Sequence, residues 1–199
     1  MARGTLHPHN KSRMHFTINF NVFGERFVGS LLVALFLGSA LAQNVAVPDK
    51  PVATVVPSLL PLPQLEGKTI GGTPFDRGMF KDKVVLVMFW STGCAVCRDK
   101  MPELRSNYAG WAGKPFEMVA VSTDPRVQNS LDYERIISRT LPVKERFMQL
   151  WTGETGYKDN LGKHAVQPVA YLLDKTGKVV VRYVGRILPE ALDKIADLP

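Results

Sequence analysis

Cysteine and histidine are scarce in this chain of 199 residues, which has two of the first and four of the second. Three of the histidines, His7, His9 and His15, lie near the N-terminus, ahead of an apolar segment at 27–42. Beyond that segment only Cys94, Cys97 and His164 remain. A closed structural zinc site takes four Cys or His ligands, so none is expected. Runs of Lys and Arg interleaved with aromatics are also missing. Four of the 25 basic residues (Arg3, Lys11, Arg13, Arg26) and one of the 18 acidic ones (Glu25) fall in residues 1–42, which leaves the remainder a dispersed net charge of +4. That pattern is a solvated mixed surface, and nucleic acid is not an expected partner. There is no internal repeat.

The uncharged segment 27–42 has 16 residues, short of the roughly 20 that a membrane-spanning helix needs. Arg26 stands directly before it, and Ala40-Leu41-Ala42 forms a small-x-small cleavage signal at its end. Residues 1–42 therefore read as a secretory signal peptide cleaved before Gln43, with Met14 as the more ordinary start of such a presequence. An uncleaved N-terminal membrane anchor is the alternative. Either way the chain is expected to work outside the cytoplasm, in the periplasm or beyond. Residues 43–64 carry Pro48, Pro51, Pro57, Pro61 and Pro63 without periodicity and read as an extended linker. Residues 65–199 are enough for one domain with its own core.

The cysteines stand close together in Trp90-Ser91-Thr92-Gly93-Cys94-Ala95-Val96-Cys97, directly behind the apolar run Val84–Trp90. The run reads as a buried strand, the Gly-containing turn as its exit, and Cys94 as the opening of a helix reaching Tyr108 with Pro102 inside it. A thiol at a helix N-terminus sees unpaired N–H groups and the positive end of the helix dipole, both of which favour thiolate. The second thiol, one turn on, is placed to close a disulfide and release a partner. As a structural staple the same bond would close a very small loop and remove little chain entropy from the unfolded state.

Further along, Phe116–Ser122 reads as a strand ending at Thr123-Asp124-Pro125, and Ser130–Thr140 as a helix. Pro142–Trp151 reads as another helix, with Val143, Phe147, Leu150 and Trp151 on one side, and Tyr157–Lys163 as a short helical turn. Val169–Leu173 and Lys178–Val184 form a hairpin around the Asp174–Gly177 turn, and Pro189–Leu198 a closing helix. Strands alternating with helices and then a hairpin predict an α/β domain, with a mixed central sheet covered on both faces and a helical insert in the middle.

Val84–Met101, the strand end Val119–Ser122, the Gln167-Pro168 step and the hairpin Asp174–Val184 together resemble the TlpA/ResA-like thiol–disulfide oxidoreductases of the thioredoxin superfamily. The resemblance covers about residues 65–199 and implies a thioredoxin-like fold. It implies that Cys94 attacks a target disulfide, that Cys97 resolves the mixed disulfide, and that no cofactor is needed beyond the redox-active pair. It implies that Trp90 packs beside the disulfide and contacts substrate together with Gln167 and Pro168, and that Pro168 is a cis-proline whose preceding residue, Gln167, meets substrate through its backbone. It further implies protein disulfide substrates, a membrane-bound electron donor, a monomer, and reducing activity, with cytochrome c maturation as a setting.

The chain departs from that family at three positions. Met88 stands where such sites often hold a buried acid, Lys100 where a glutamate is common, and Gly93 where a bulky aromatic often precedes the first cysteine. Lys100 would favour thiolate if directed at the pair and would be an ordinary solvated residue otherwise. A second reading, of a different class, joins His164 to Cys94 and Cys97 as a soft Cu(I) site in an exported copper-binding module. A peroxidase is disfavoured because its site would carry a single Pro/Thr-flanked cysteine. Residues 125–162 read as an insert shaping partner choice, and Trp111 and Trp151 as packing residues.

Overall fold

The computed structural model describes residues 52–55 and 62–198. The expected signal peptide, its start at Met14 and most of the 43–64 linker lie outside these residues. The described residues form one compact unit.

Among the described residues, nine strands and three α-helices follow in chain order: β1 Val52–Val55, β2 Leu65–Lys68, β3 Pro74–Asp76, β4 Val84–Trp90, α1 Ala95–Gly110, β5 Phe116–Ser122, α2 Val127–Ile137, β6 Met148–Trp151, β7 Lys158–Asp159, β8 Val169–Leu173, β9 Val179–Val184 and α3 Glu190–Asp193. The main sheet has six strands in the order β1-β9-β8-β4-β5-β6. β4, β5 and β6 run parallel, whereas β8, β9 and β1 join antiparallel. β2 pairs with β3 on one side and β7 on the other in a small antiparallel sheet. The Ile70 N–H donates to the Gln149 carbonyl at 2.9 Å and joins the small sheet to the β6 edge.

β4 is buried at every position because both faces of the main sheet are covered. Val84, Leu86, Met88 and Trp90 face the α1 and α3 side, with Met101, Leu104, Leu192 and Ile195. Val85, Val87 and Phe89 face the opposite side, with Leu65, Phe75 and Phe80. This period of two explains an unbroken apolar run in a strand. Met88, at 1 % exposure, is core, and an unpartnered carboxylate there would be expensive to desolvate. α1 buries Cys97, Met101, Leu104 and Arg105, spaced for one helical stripe, and Pro102 sits inside the helix without ending it.

Several expectations are corrected. Val52–Val55, expected to be linker, pairs along β9 as an exposed edge strand. Pro142–Trp151 is not a helix: a 3-10 turn at Val143–Glu145 leads into β6, the edge strand beside β5. Val143, needed for the expected helical face, is 77 % exposed. Leu150 and Gln149 are both buried, which suits a strand covered on two sides. Tyr157–Lys163 yields the short strand β7 in place of a helical turn. The closing helix is shorter than expected, with Glu190–Asp193 followed by 3-10 turn at Lys194–Asp197. The insert thus carries one helix, α2, and two short strands, β6 and β7, and β6 widens the central sheet.

Candidate active site

Parallel β4 and β5 end at the same edge of the sheet, where open α/β sheets commonly bind their ligands. Trp90 and Ser122 are register partners, and the chain leaving each strand turns over this edge. The Thr123 N–H donates to the Trp90 carbonyl at 2.8 Å, which ties the two exits together. The loop ahead of β8 arrives at the same place. Gln167 accepts from the Ser91 hydroxyl at 2.8 Å and donates its Nε2 to the Thr123 hydroxyl. The Gln167–Pro168 peptide bond is cis, as expected, and Pro168 is buried.

Cys94 and Cys97 are joined by a disulfide, so this is the oxidised form of the pair. Cys94 is the N-cap of the 16-residue helix α1, and its Sγ accepts from the Cys97 N–H at 3.1 Å. In the reduced chain that donor and the helix dipole favour negative charge on Cys94. Exposure separates the two sulfurs. Cys97 is 1 % exposed and lies in the core, while Cys94 is only partly buried at the rim. A Cβ built at Gly93 meets no atom within 4 Å, so the approach to Cys94 is open on that side.

Trp90 stacks edge-on against Tyr133, with ring centroids 5.1 Å apart, and belongs to the same apolar cluster as Cys97. Its expected contact with substrate is corrected, because at 0 % exposure it forms the floor under the cysteines. Lys100 is not aimed at the sulfurs: its Nζ lies 2.6 Å from the Glu103 carboxylate on the next turn. Asp99 likewise pairs with Arg186 at 2.8 Å.

His164 does not join the cysteines. Its ring lies 3.6 Å from that of Phe89 and 5.8 Å from that of Tyr171, centroid to centroid, and both ring nitrogens are buried without a hydrogen-bond partner. Burial pushes its imidazole below the usual histidine range, Arg182 adds to the fall, and Asp159 opposes it. Among the described residues no three His, Cys, Asp or Glu side chains are grouped to hold a metal ion. The Cys94–Cys97–His164 constellation required by the copper reading is therefore not assembled.

Asp124 was missed by sequence reasoning. It is 4 % exposed, directly behind the active-site turn. Its Oδ1 accepts from the Thr92 N–H at 3.0 Å and the Thr92 hydroxyl at 2.8 Å. Its Oδ2 accepts from the Ser122 hydroxyl at 2.9 Å, and the Ser130 hydroxyl lies at the same distance. The only sequence signal was an acid beside Pro125 at a strand end, which ordinarily marks a solvated turn. Trp151, expected to be a packing residue, donates its indole N–H to the Asp124 carbonyl at 2.7 Å.

The chain matches the model of the AhpC/TSA family over residues 60–185. It is 28 % identical over 131 residues to a thiol-disulfide oxidoreductase ResA of Bacillus cereus, covering 65 % of this chain and 68 % of that one. ResA of Bacillus anthracis is also 28 % identical, over 129 residues, with the same shares covered. Among solved structures, a thiol:disulfide interchange protein of the thioredoxin family from Chlorobium tepidum TLS superposes with a TM-score of 0.54 at 22 % identity, covering 69 % of this chain and 93 % of that one. A DsbF homologue from Corynebacterium diphtheriae gives 0.58 at 16 % identity, covering 78 % and 95 %. These structural likenesses carry the thioredoxin fold, and the family match spans well over half of the sequence. The chain therefore belongs to the AhpC/TSA family, as a TlpA/ResA-like protein of the thioredoxin superfamily.

Proposed function

We propose that this thiol–disulfide oxidoreductase is an exported reductant of protein disulfides, with Cys94 as nucleophile and Cys97 as resolving thiol. The observation that carries the assignment of roles is the contrast between the sulfurs. Cys94 sits at the rim on a helix N-terminus with an N–H directed at its Sγ, and Cys97 is sealed in the core. In the reduced chain the Cys94 thiolate attacks one sulfur of a target disulfide. The target S–S bond breaks, a Cys94–target bond forms, and the leaving sulfur takes a proton. The Cys97 sulfur then attacks Cys94 Sγ, forms the Cys94–Cys97 bond and releases the target as a dithiol. Two electrons and two protons pass to the target.

The pair is the only redox group this cycle uses. A membrane-bound dithiol donor returns the two electrons by the reverse exchange. The Gln167 backbone, held beside the turn by the Ser91 and Thr123 hydroxyls, is the surface along which an extended target segment lies. The exported setting rests on the segment 27–42, and cytochrome c maturation is the setting that the TlpA/ResA-like resemblance of the sequence implies.

The test is the reduction potential of residues 43–199 in defined thiol buffers, read by alkylating Cys94 and Cys97. A value near or below about −250 mV is expected, since thioredoxin lies at about −270 mV. A value of roughly −120 to −180 mV would assign an oxidant or isomerase instead. Cys94→Ser is expected to abolish exchange, and Cys97→Ser to accumulate a mixed disulfide with the target.

A further inference from the structure

The hydroxyl and carboxylate cluster behind the turn plays no part in the exchange cycle above, yet it is the most completely bonded buried polar group near the cysteines. Asp124 holds Thr92 twice, through its main-chain N–H and its hydroxyl. Thr92 stands two residues before Cys94, so its position decides where the helix begins and where Sγ points. Asp124 is itself held from three directions. Ser122 reaches it from the end of β5. Ser130, fully buried on α2, reaches both Ser122 at 2.7 Å and the carboxylate at 2.9 Å. From β6 the Trp151 indole fixes the Asp124 carbonyl. A solvated turn aspartate would need none of these partners, and burying a carboxylate is costly unless such bonds offset its lost hydration.

We propose that Asp124 is the positioning residue of the dithiol site: it fixes the Thr92–Cys94 turn, and its negative charge sets the pH at which Cys94 becomes a nucleophile. The inference rests on the reading that the Cys94–Cys97 pair exchanges disulfides. The charge acts against the helix N-terminus, since a like charge nearby disfavours thiolate. Other charged or titratable groups at this end are Arg98 and the pairs Asp99–Arg186 and Lys100–Glu103 around α1, with Tyr133 facing in from α2. The two ion pairs leave no net charge, and exposed Arg126, two residues beyond Asp124, adds a second cation, so Asp124 stands against Arg98 and Arg126. The insert thereby gains a role in the chemistry: α2 and β6 hold the acid that holds the turn.

The test uses two substitutions in the reduced protein. Asp124→Asn keeps the shape of the side chain and an acceptor for Thr92 but removes the charge. Thr92→Val keeps the charge and the main-chain bond but removes the hydroxyl donor. The rate of Cys94 alkylation by iodoacetamide is followed against pH, together with the rate of exchange with a small aromatic disulfide and the thermal midpoint. Asp124→Asn is expected to lower the pH midpoint of alkylation by about half a unit to one unit. Thr92→Val is expected to leave that midpoint in place and slow exchange at its plateau about tenfold, because a misplaced nucleophile loses its attack geometry.

A purely structural Asp124 would lower the melting temperature of both variants and leave the alkylation midpoint and plateau exchange rate unchanged, and that result overturns the inference alone. Failure of the unsubstituted protein to exchange with any disulfide would instead remove the thiol-exchange reading, and this inference with it.

Discussion

His164 shows how the surroundings of a side chain decide its role. Between the rings of Phe89 and Tyr171, with both nitrogens unpartnered, it behaves as a neutral aromatic slab. Its folded pKa lies below the ordinary value of 6.5, chiefly because burial disfavours the cation. The unfolded chain therefore binds a proton more readily than the folded one. The resulting stability is fully present above about pH 6.5 and is lost as pH falls toward the depressed folded value. Thermal midpoints between about pH 7 and pH 5 are expected to fall more steeply in the unsubstituted protein than in His164→Phe, which keeps a ring and cannot titrate; parallel slopes would refute this. Lys100 makes the same point with charge, because its partner is Glu103 and not a thiol. Neither outcome was legible in the sequence, where each residue had two reasonable neighbours and only the fold selected one.

Elements were legible in proportion to how little they depended on distant partners. β4, β5 and β8 have the bounds expected from their apolar runs, because strands buried on both faces need no alternation to be seen. The Asp174–Gly177 turn was equally plain: Asp174 Oδ1 accepts from the N–H groups of Thr176 and Lys178, and Gly177 adopts a φ of 84°. β6 was misread because Val143, Phe147, Leu150 and Trp151 also fit a helical spacing, and its strand character comes from β5 alongside. Asp124 was missed for a related reason, since its burial needs Ser130 from α2 and Trp151 from β6 at once. Arg105 holds this region to α1. At 1 % exposure its guanidinium pairs with Glu134, donates to the Glu145 carbonyl at 3.3 Å and lies 4.5 Å over the Phe147 ring. Arg105→Met leaves the Glu134 carboxylate without its partner and is expected to cost about 3 kcal/mol in urea unfolding. A loss below about 0.5 kcal/mol would show that this contact does not hold the insert in place.

For the molecule as a whole, the direction of electron flow and the stability of the fold are one quantity. A fold that holds the Cys94–Cys97 disulfide better than the unfolded chain does makes the pair a stronger reductant, and the oxidised protein is then the more stable one. Every 30 mV of that preference corresponds to about 1.4 kcal/mol. The oxidised chain is therefore expected to unfold at a higher urea concentration than the reduced chain. The reverse order would mark an oxidant, independently of any potential measured in thiol buffers. Loop closure contributes little to the difference, since only two residues separate the cysteines.

Trp90 gives the same chemistry an optical face. Its indole is fully buried in the cluster that contains Cys97, and Cys94 packs against that cluster. A disulfide is an efficient short-range quencher of an excited indole, and a pair of thiols is a poorer one. The floor of the site is thus expected to act as a built-in fluorophore, brighter when the pair is reduced and dimmer when it closes, over the background of Trp111 and Trp151. Each turnover can be followed in real time without attaching a label to either sulfur.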